Sequence, residues 1–65
     1  MTKSRRERIR ERRRVLGLSQ DAAAKLAGLS YHTWYAIESG FRNPSLHTAK
    51  AIAKALGTTI EQIFD

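Results

Sequence analysis

The sequence predicts an all-α fold of five short helices. Three observations carry this. Five Ser or Thr residues (Ser4, Ser19, Ser30, Ser45, Thr59) stand where helix caps are expected, the four glycines fall after the apolar stretches, and strand signals are poor.

Ser4 with Glu7 is a capping-box pattern, opening a helix to about residue 15 that Gly17 ends. Ser19 caps a second helix, with Asp21 favourably placed in its first turn, and Gly28 ends it. Ser30 caps a third, which stops at Gly40. Residues 41–44 read as a loop. Ser45 caps a fourth helix, with Asn43 before Pro44 as an alternative start, and Gly57 ends it. Thr59 with Gln62 is a second capping box, opening a fifth helix to about Phe64. Leu46, Ala49, Ile52, Ala53 and Leu56 form the expected core stripe of helix 4, and Ile60, Ile63 and Phe64 that of helix 5. On helix 1, Ile9 and Leu16 are seven apart. Arg13 lies between them, facing inward by period, and so needs an acidic partner.

The chain has 65 residues, read as a single domain over 1–65 with a short N-terminal arm at 1–4. A chain this short buries only ~60% of its unfolded surface, so its core is thin. With no cysteine, neither disulfides nor thiolate metal sites staple it. That usage suits a cytoplasmic, nucleoid-associated protein, and no metal or cofactor is expected. No apolar run approaches the ~20 residues of a membrane span. The basic N-terminus lacks the apolar segment of a secretory signal.

The formal charge is +6 and the pI about 10.6. All of that charge sits in residues 1–14, which hold eight bases and two acids. Residues 15–65 balance four bases (Lys25, Arg42, Lys50, Lys54) against four acids (Asp21, Glu38, Glu61, Asp65). Seven arginines in ten residues exceed what pairing with Glu7 and Glu11 along a solvated helix can use. They point to a polyanionic partner.

Helices 2 and 3 form the informative pair. Gly28 supplies a left-handed turn, Leu29 plugs the core, and Ser30 starts the next helix. Ala24 is small where the helices cross, and Ala23, Ala27, Trp34 and Ile37 seal them together. This resembles the helix-turn-helix unit, whose second helix enters the DNA major groove. The stretches at 8–11 (RIRE), 17–20 (GLSQ), 27–30 (AGLS), 37–40 (IESG) and 42–46 (RNPSL), with the tail at 52–57 (IAKALG) and 60–64, resemble the Xre family of lambda-type repressors and Cro-like regulators. The likeness runs from about residue 5 to residue 64. It implies a compact five-helix lambda-repressor-like DNA-binding domain that regulates transcription, usually as a dimer. The chain departs from the family at Ala23 and Arg12 (often Leu), Trp34 (often Ile or Val) and Ser39 (commonly Asn). Ala23 and Trp34 compensate in volume if they share one core.

At 100° per residue, Trp34, Ile37 and Ser30 share one side of helix 3, and Tyr31, His32, Tyr35 and Ala36 the other. Two tyrosines and a histidine on a solvent face contribute little to folding, so base or phosphate contact is the expected role. The family's base-reading positions fall on these four residues. His32 can donate to guanine, the tyrosines can pack on a thymine methyl or bond phosphate, and Ala36 offers a methyl contact. The family also implies phosphate contact by Gln20, at the start of helix 2, and by Arg42 and Asn43 in the loop after helix 3. Ser19 and Ser45 can add hydroxyl contacts, although Ser19 reads first as a cap. Arg5, Arg6, Arg10 and Arg14 are within reach of phosphate, with Arg10 and Arg14 singled out. The family places a partly buried ion pair at Arg13 and Glu38; the competing role for Arg13 is phosphate contact. Trp34 reads as core. Ile60, Ile63 and Phe64 either cover helix 4 or form a homodimer interface, since the family commonly pairs through this end.

The expected partner is therefore double-stranded DNA, read as an inverted repeat by a homodimeric repressor, with no membrane and no small-molecule ligand. The alternative is an antitoxin or controller-type subunit of the same fold whose main partner is a protein. Enzymatic function is not expected. His32 and His47 are the only histidines and lie fifteen apart, and no HExxH motif or Gly-rich phosphate loop occurs. Helix 1 also lacks the broad apolar face of a membrane-surface helix.

Overall fold

The computed structural model describes residues 4–64; residues 1–3 of the arm expected at 1–4 lie outside them. It contains α1 (Arg5–Val15), α2 (Gln20–Ala27), α3 (Tyr31–Glu38), α4 (Leu46–Ala55) and α5 (Ile60–Phe64), with no strand among the described residues. The predicted all-α fold and its five helices are borne out.

Local chemistry sets the starts. The Ser4 hydroxyl accepts the Glu7 amide while the Glu7 carboxylate accepts the Ser4 amide at 3.1 Å, completing the capping box. Ser19, Ser30 and Ser45 each accept the amide three residues on, from Ala22, Thr33 and Thr48. Ser45 therefore starts α4, rather than Asn43 with Pro44. The Gln62 amide donates to Thr59 Oγ1 at 3.3 Å, but the Gln62 side chain accepts from the Thr58 hydroxyl, so the reciprocal half of the second box is made with a different residue. Gly28 ends α2 at φ +73°, a left-handed conformation that lets Leu29 N donate back to Ala24 O at 2.8 Å and turns the chain into α3.

The core gathers Ile9, Ala23, Ala24, Trp34, Ile37, Ile52, Leu56 and Ile63, with Leu18, Ala27, Leu29 and Phe64 packed partly against it. Trp34 and Ala23 are both fully buried in this one cluster, a large ring beside a small residue. Helix α1 packs on α3 and α5, α2 on α3 and α4, and α4 on α5.

Three apolar expectations need correction. Leu16 is 43% exposed. It is the C-cap of α1, where the chain leaves the helix, and Leu18 takes the place against the core. Leu46 is 65% exposed because, as the first residue of α4, it projects beyond its neighbours. Ile63, expected at a dimer interface, is 2% exposed and belongs to its own chain's core. Ile60 and Phe64 are half-buried.

Candidate nucleic-acid interface

The interface is built outward from one buried charge. Glu38, at the last turn of α3, is 3% exposed. Arg13 of α1 grips it with two donors, Nε to Oε1 at 2.8 Å and Nη2 to Oε2 at 2.9 Å. Trp34 Nε1 donates to Oε1 at 2.9 Å and Gln20 Nε2 to Oε2 at 3.0 Å. Arg10 Nε stands 4.0 Å away at the rim. Four donors from three helices satisfy the carboxylate, and no buried side-chain polar atom among the described residues lacks a partner. Burial pushes the Glu38 carboxyl up, but the hydrogen bonds from Arg13 and Trp34 outweigh it and hold the group below its ordinary value. The bond to Glu38 in turn raises the Arg13 pKa. The inward-facing Arg13 and its acidic partner are thus present as expected, with α2 joined to the pair as well.

The opposite side of α3 carries the recognition candidates. Tyr31, His32 and Tyr35 are exposed and Ala36 is half-buried. Tyr31 and Tyr35, one turn apart, stack at 6.1 Å between centroids, and His32 meets Tyr31 edge-on at 5.8 Å. Mutual stacking leaves three ring edges along one helical face.

Around that face the phosphate candidates divide. Gln20 is half-buried and turned inward: its amide nitrogen serves Glu38, and its oxygen lies 3.5 Å from the Tyr31 hydroxyl. Ser19 and Ser45 hydroxyls cap helices. Arg42 and Asn43 are exposed on a ridge between two clefts, one lined by Ser4, Arg5, Arg6 and Gly40, the other by Thr33, Ser45 and Thr48. Arg14 and Arg42 have no ion pair among the described residues.

Two further arginines of α1 serve the fold in a way the sequence did not assign. Arg6 Nη1 donates to Ser39 O, at the end of α3, at 3.0 Å. Arg12 Nε donates to Leu56 O, at the end of α4, at 2.9 Å, and its Nη2 to Gly57 O. Arg13 Nη1 reaches Leu18 O at 2.9 Å. Carbonyls at a helix C-terminus lack intrahelical donors and carry partial negative charge, so the guanidiniums of Arg6 and Arg12 each cap one. Composition alone reads these residues as polyanion ligands. The only available signal was the departure at Arg12, a charge where the family is often apolar.

Among the described residues, no helix is long and apolar enough to cross a membrane, and no group of three metal-ligating side chains converges.

Two helices joined by a tight glycine turn, the second with a polar aromatic outer face, define a helix-turn-helix protein. A family model described as a helix-turn-helix domain matches residues 6–63, and the chain belongs to that family. It is 47% identical over 57 residues to an uncharacterised HTH-type transcriptional regulator of Methanothermobacter thermautotrophicus, covering 86% of this chain and 83% of the relative. A similarly described protein of Archaeoglobus fulgidus is 41% identical over 59 residues, covering 91% and 84%. The crystal structure of the restriction-modification controller protein C.AhdI from Aeromonas hydrophila superposes with a TM-score of 0.88 at 37% identity, covering 92% of this chain and 91% of that one. The resemblance to Xre-type regulators is borne out: this is a DNA-binding transcriptional regulator of the helix-turn-helix class.

Proposed function

We propose that residues 1–65 act as one cytoplasmic, nucleoid-associated domain that binds double-stranded DNA sequence-specifically as a homodimeric repressor. Helix α3 enters the major groove, and Tyr31, His32, Tyr35 and Ala36 contact base edges. Arg42 and Asn43, with Ser19, Ser45, Arg10 and Arg14 around them, contact phosphates and supply most of the affinity. Gln20 bonds phosphate with what its inward-turned amide leaves available. The observation that carries the reading is the exposed aromatic face of α3, backed directly by the Glu38 cluster that holds α1, α2 and α3 together. A rigid back and a polar aromatic front suit a helix that must keep one pose in a groove. Ile60 and Phe64, half-buried at the end of the chain, are the residues left for a dimer contact. Two such helices would sit ~34 Å apart over an inverted repeat.

Selection from a random duplex pool, with a parallel salt titration, tests this. Enrichment of an inverted repeat with half-sites one turn apart is expected. Enrichment of no sequence, with weak attachment that vanishes at physiological salt, would sink the reading.

The likeness to a restriction-modification controller favours a second reading, a controller-type regulator or antitoxin-like subunit that also works through a protein partner. A selected site lying upstream of the chain's own gene, with graded control by dose, would favour the controller role.

A further inference from the structure

We propose that Arg5 is a positioning residue for DNA binding, which acts by fixing the amide of Asn43 so that its two N–H donors face a phosphate. This rests on the DNA-binding reading above and assigns a role within it to a residue of α1 that lies far from α3 in sequence.

The geometry comes from two contacts. Arg5 Nη1 donates to Asn43 Oδ1 at 3.2 Å, across 38 positions of the chain. A guanidinium has only donors, so it must take the oxygen end of the amide and leave the NH2 end pointing elsewhere. That NH2 group has two donors and no acceptor, and an anion is its natural partner. Asn43 shares its ridge with Arg42, so the donors stand beside a cationic side chain with no ion pair of its own among the described residues. Arg5 is itself held, because its guanidinium carbon lies 5.4 Å above the centre of the Phe64 ring. Stacking over an aromatic face restricts a long, rotamer-rich side chain. The chain of contact runs from Phe64 on α5 to Arg5 on α1 to Asn43 in the loop after α3. An unheld Asn43 amide would have to be turned and fixed as the phosphate arrives, an ordering cost that Arg5 removes in advance.

The test is a double-mutant cycle on duplex binding, read by fluorescence anisotropy from low to physiological salt. The chains are wild type, Arg5→Gln, Asn43→Ala and the double variant, with thermal melts run on each. Each single change is expected to weaken binding several-fold with little change in the salt slope, because the phosphate contact that is lost is a neutral amide's and displaces no counterion. The double variant should bind no more weakly than the worse single one, because both changes remove the same contact. Asn43→Asp keeps an acceptor for Arg5 but loses the donors, so it should melt no lower than wild type while binding DNA least well of all. For Arg5→Gln and Asn43→Ala, a loss of binding with the melt unchanged separates this role from bracing of the loop. Additive losses in the cycle, or Asn43→Asp binding like wild type, would overturn the proposal while leaving DNA binding intact. Failure of the wild-type chain to bind any duplex would overturn the functional reading and this proposal together.

Discussion

Trp34 and Glu38 lie one turn apart on α3, and the indole Nε1 donates to the buried carboxylate at 2.9 Å. The largest side chain of the core is thus also a donor to the one buried charge among the described residues. Trp34→Phe keeps an aromatic ring in place and removes that donor. Losing a hydrogen bond to a charged group costs about 1.5–3 kcal/mol, to which the smaller ring adds a cavity. Chemical denaturation should show a midpoint well below wild type. A midpoint unchanged within error would mean that Arg13 and Gln20 satisfy Glu38 unaided.

Acid should destabilise the fold through the same carboxylate. Glu38 is held below its ordinary value, so its contribution is complete above the unfolded pKa of about 4.3 and is lost as pH falls through the native value. Melting temperature should be level from neutral pH to about 5 and drop below about 4.3. Glu38→Gln should be less stable at neutral pH and show a shallower acid limb. Some acid dependence will persist, because Glu7, hydrogen-bonded to Ser4, is depressed too. An equally steep acid limb in Glu38→Gln would place the titration elsewhere.

Arg13→Met should leave Glu38 without its two-donor partner. Breaking a pair buried to this degree costs about 3–5 kcal/mol. Adding Glu38→Leu should restore part of the loss by removing the stranded charge. At a temperature where Arg13→Met is folded, the salt slope of its DNA binding should equal that of wild type. A reduced slope would assign Arg13 to phosphate.

Arg12 and Arg42 should part company in a comparison of variants. Arg12→Ala uncaps α4 and should cost about 1–2 kcal/mol of stability with the salt slope unchanged. Arg42→Ala should leave melting unchanged and lower the slope by about one. The opposite pattern would exchange their roles.

Tyr35→Ala and His32→Ala should change which duplexes are selected without lowering the melting temperature by more than a few degrees, since both side chains are exposed. Unchanged selection by both variants would move base reading off this face of α3.

The helix starts were legible because each is a contact between a hydroxyl and an amide three residues on, as at Ser30 and Thr33 or Ser45 and Thr48. The inward Arg13 was legible from period, and its partner Glu38 from family likeness. The roles of Gln20, Arg6 and Arg12 were not. Each side chain bonds a group far away in sequence, and no local rule names that group. Period placed Ile63 correctly, in the core, but not Leu46, and the family likeness alone had offered Ile63 to a dimer contact. Both lie on apolar stripes, yet one ends under α1 and α4 and the other projects past the end of its helix.

By itself, then, the sequence determined the five helices, their ends, the buried face of α3 and its aromatic outer face, because these depend on spacing within a few residues. Only the tertiary structure decided which arginines of α1 cap helices and which remain exposed. Seven guanidiniums within ten residues are chemically equivalent until the ends of α3 and α4 come to rest beside particular ones of them.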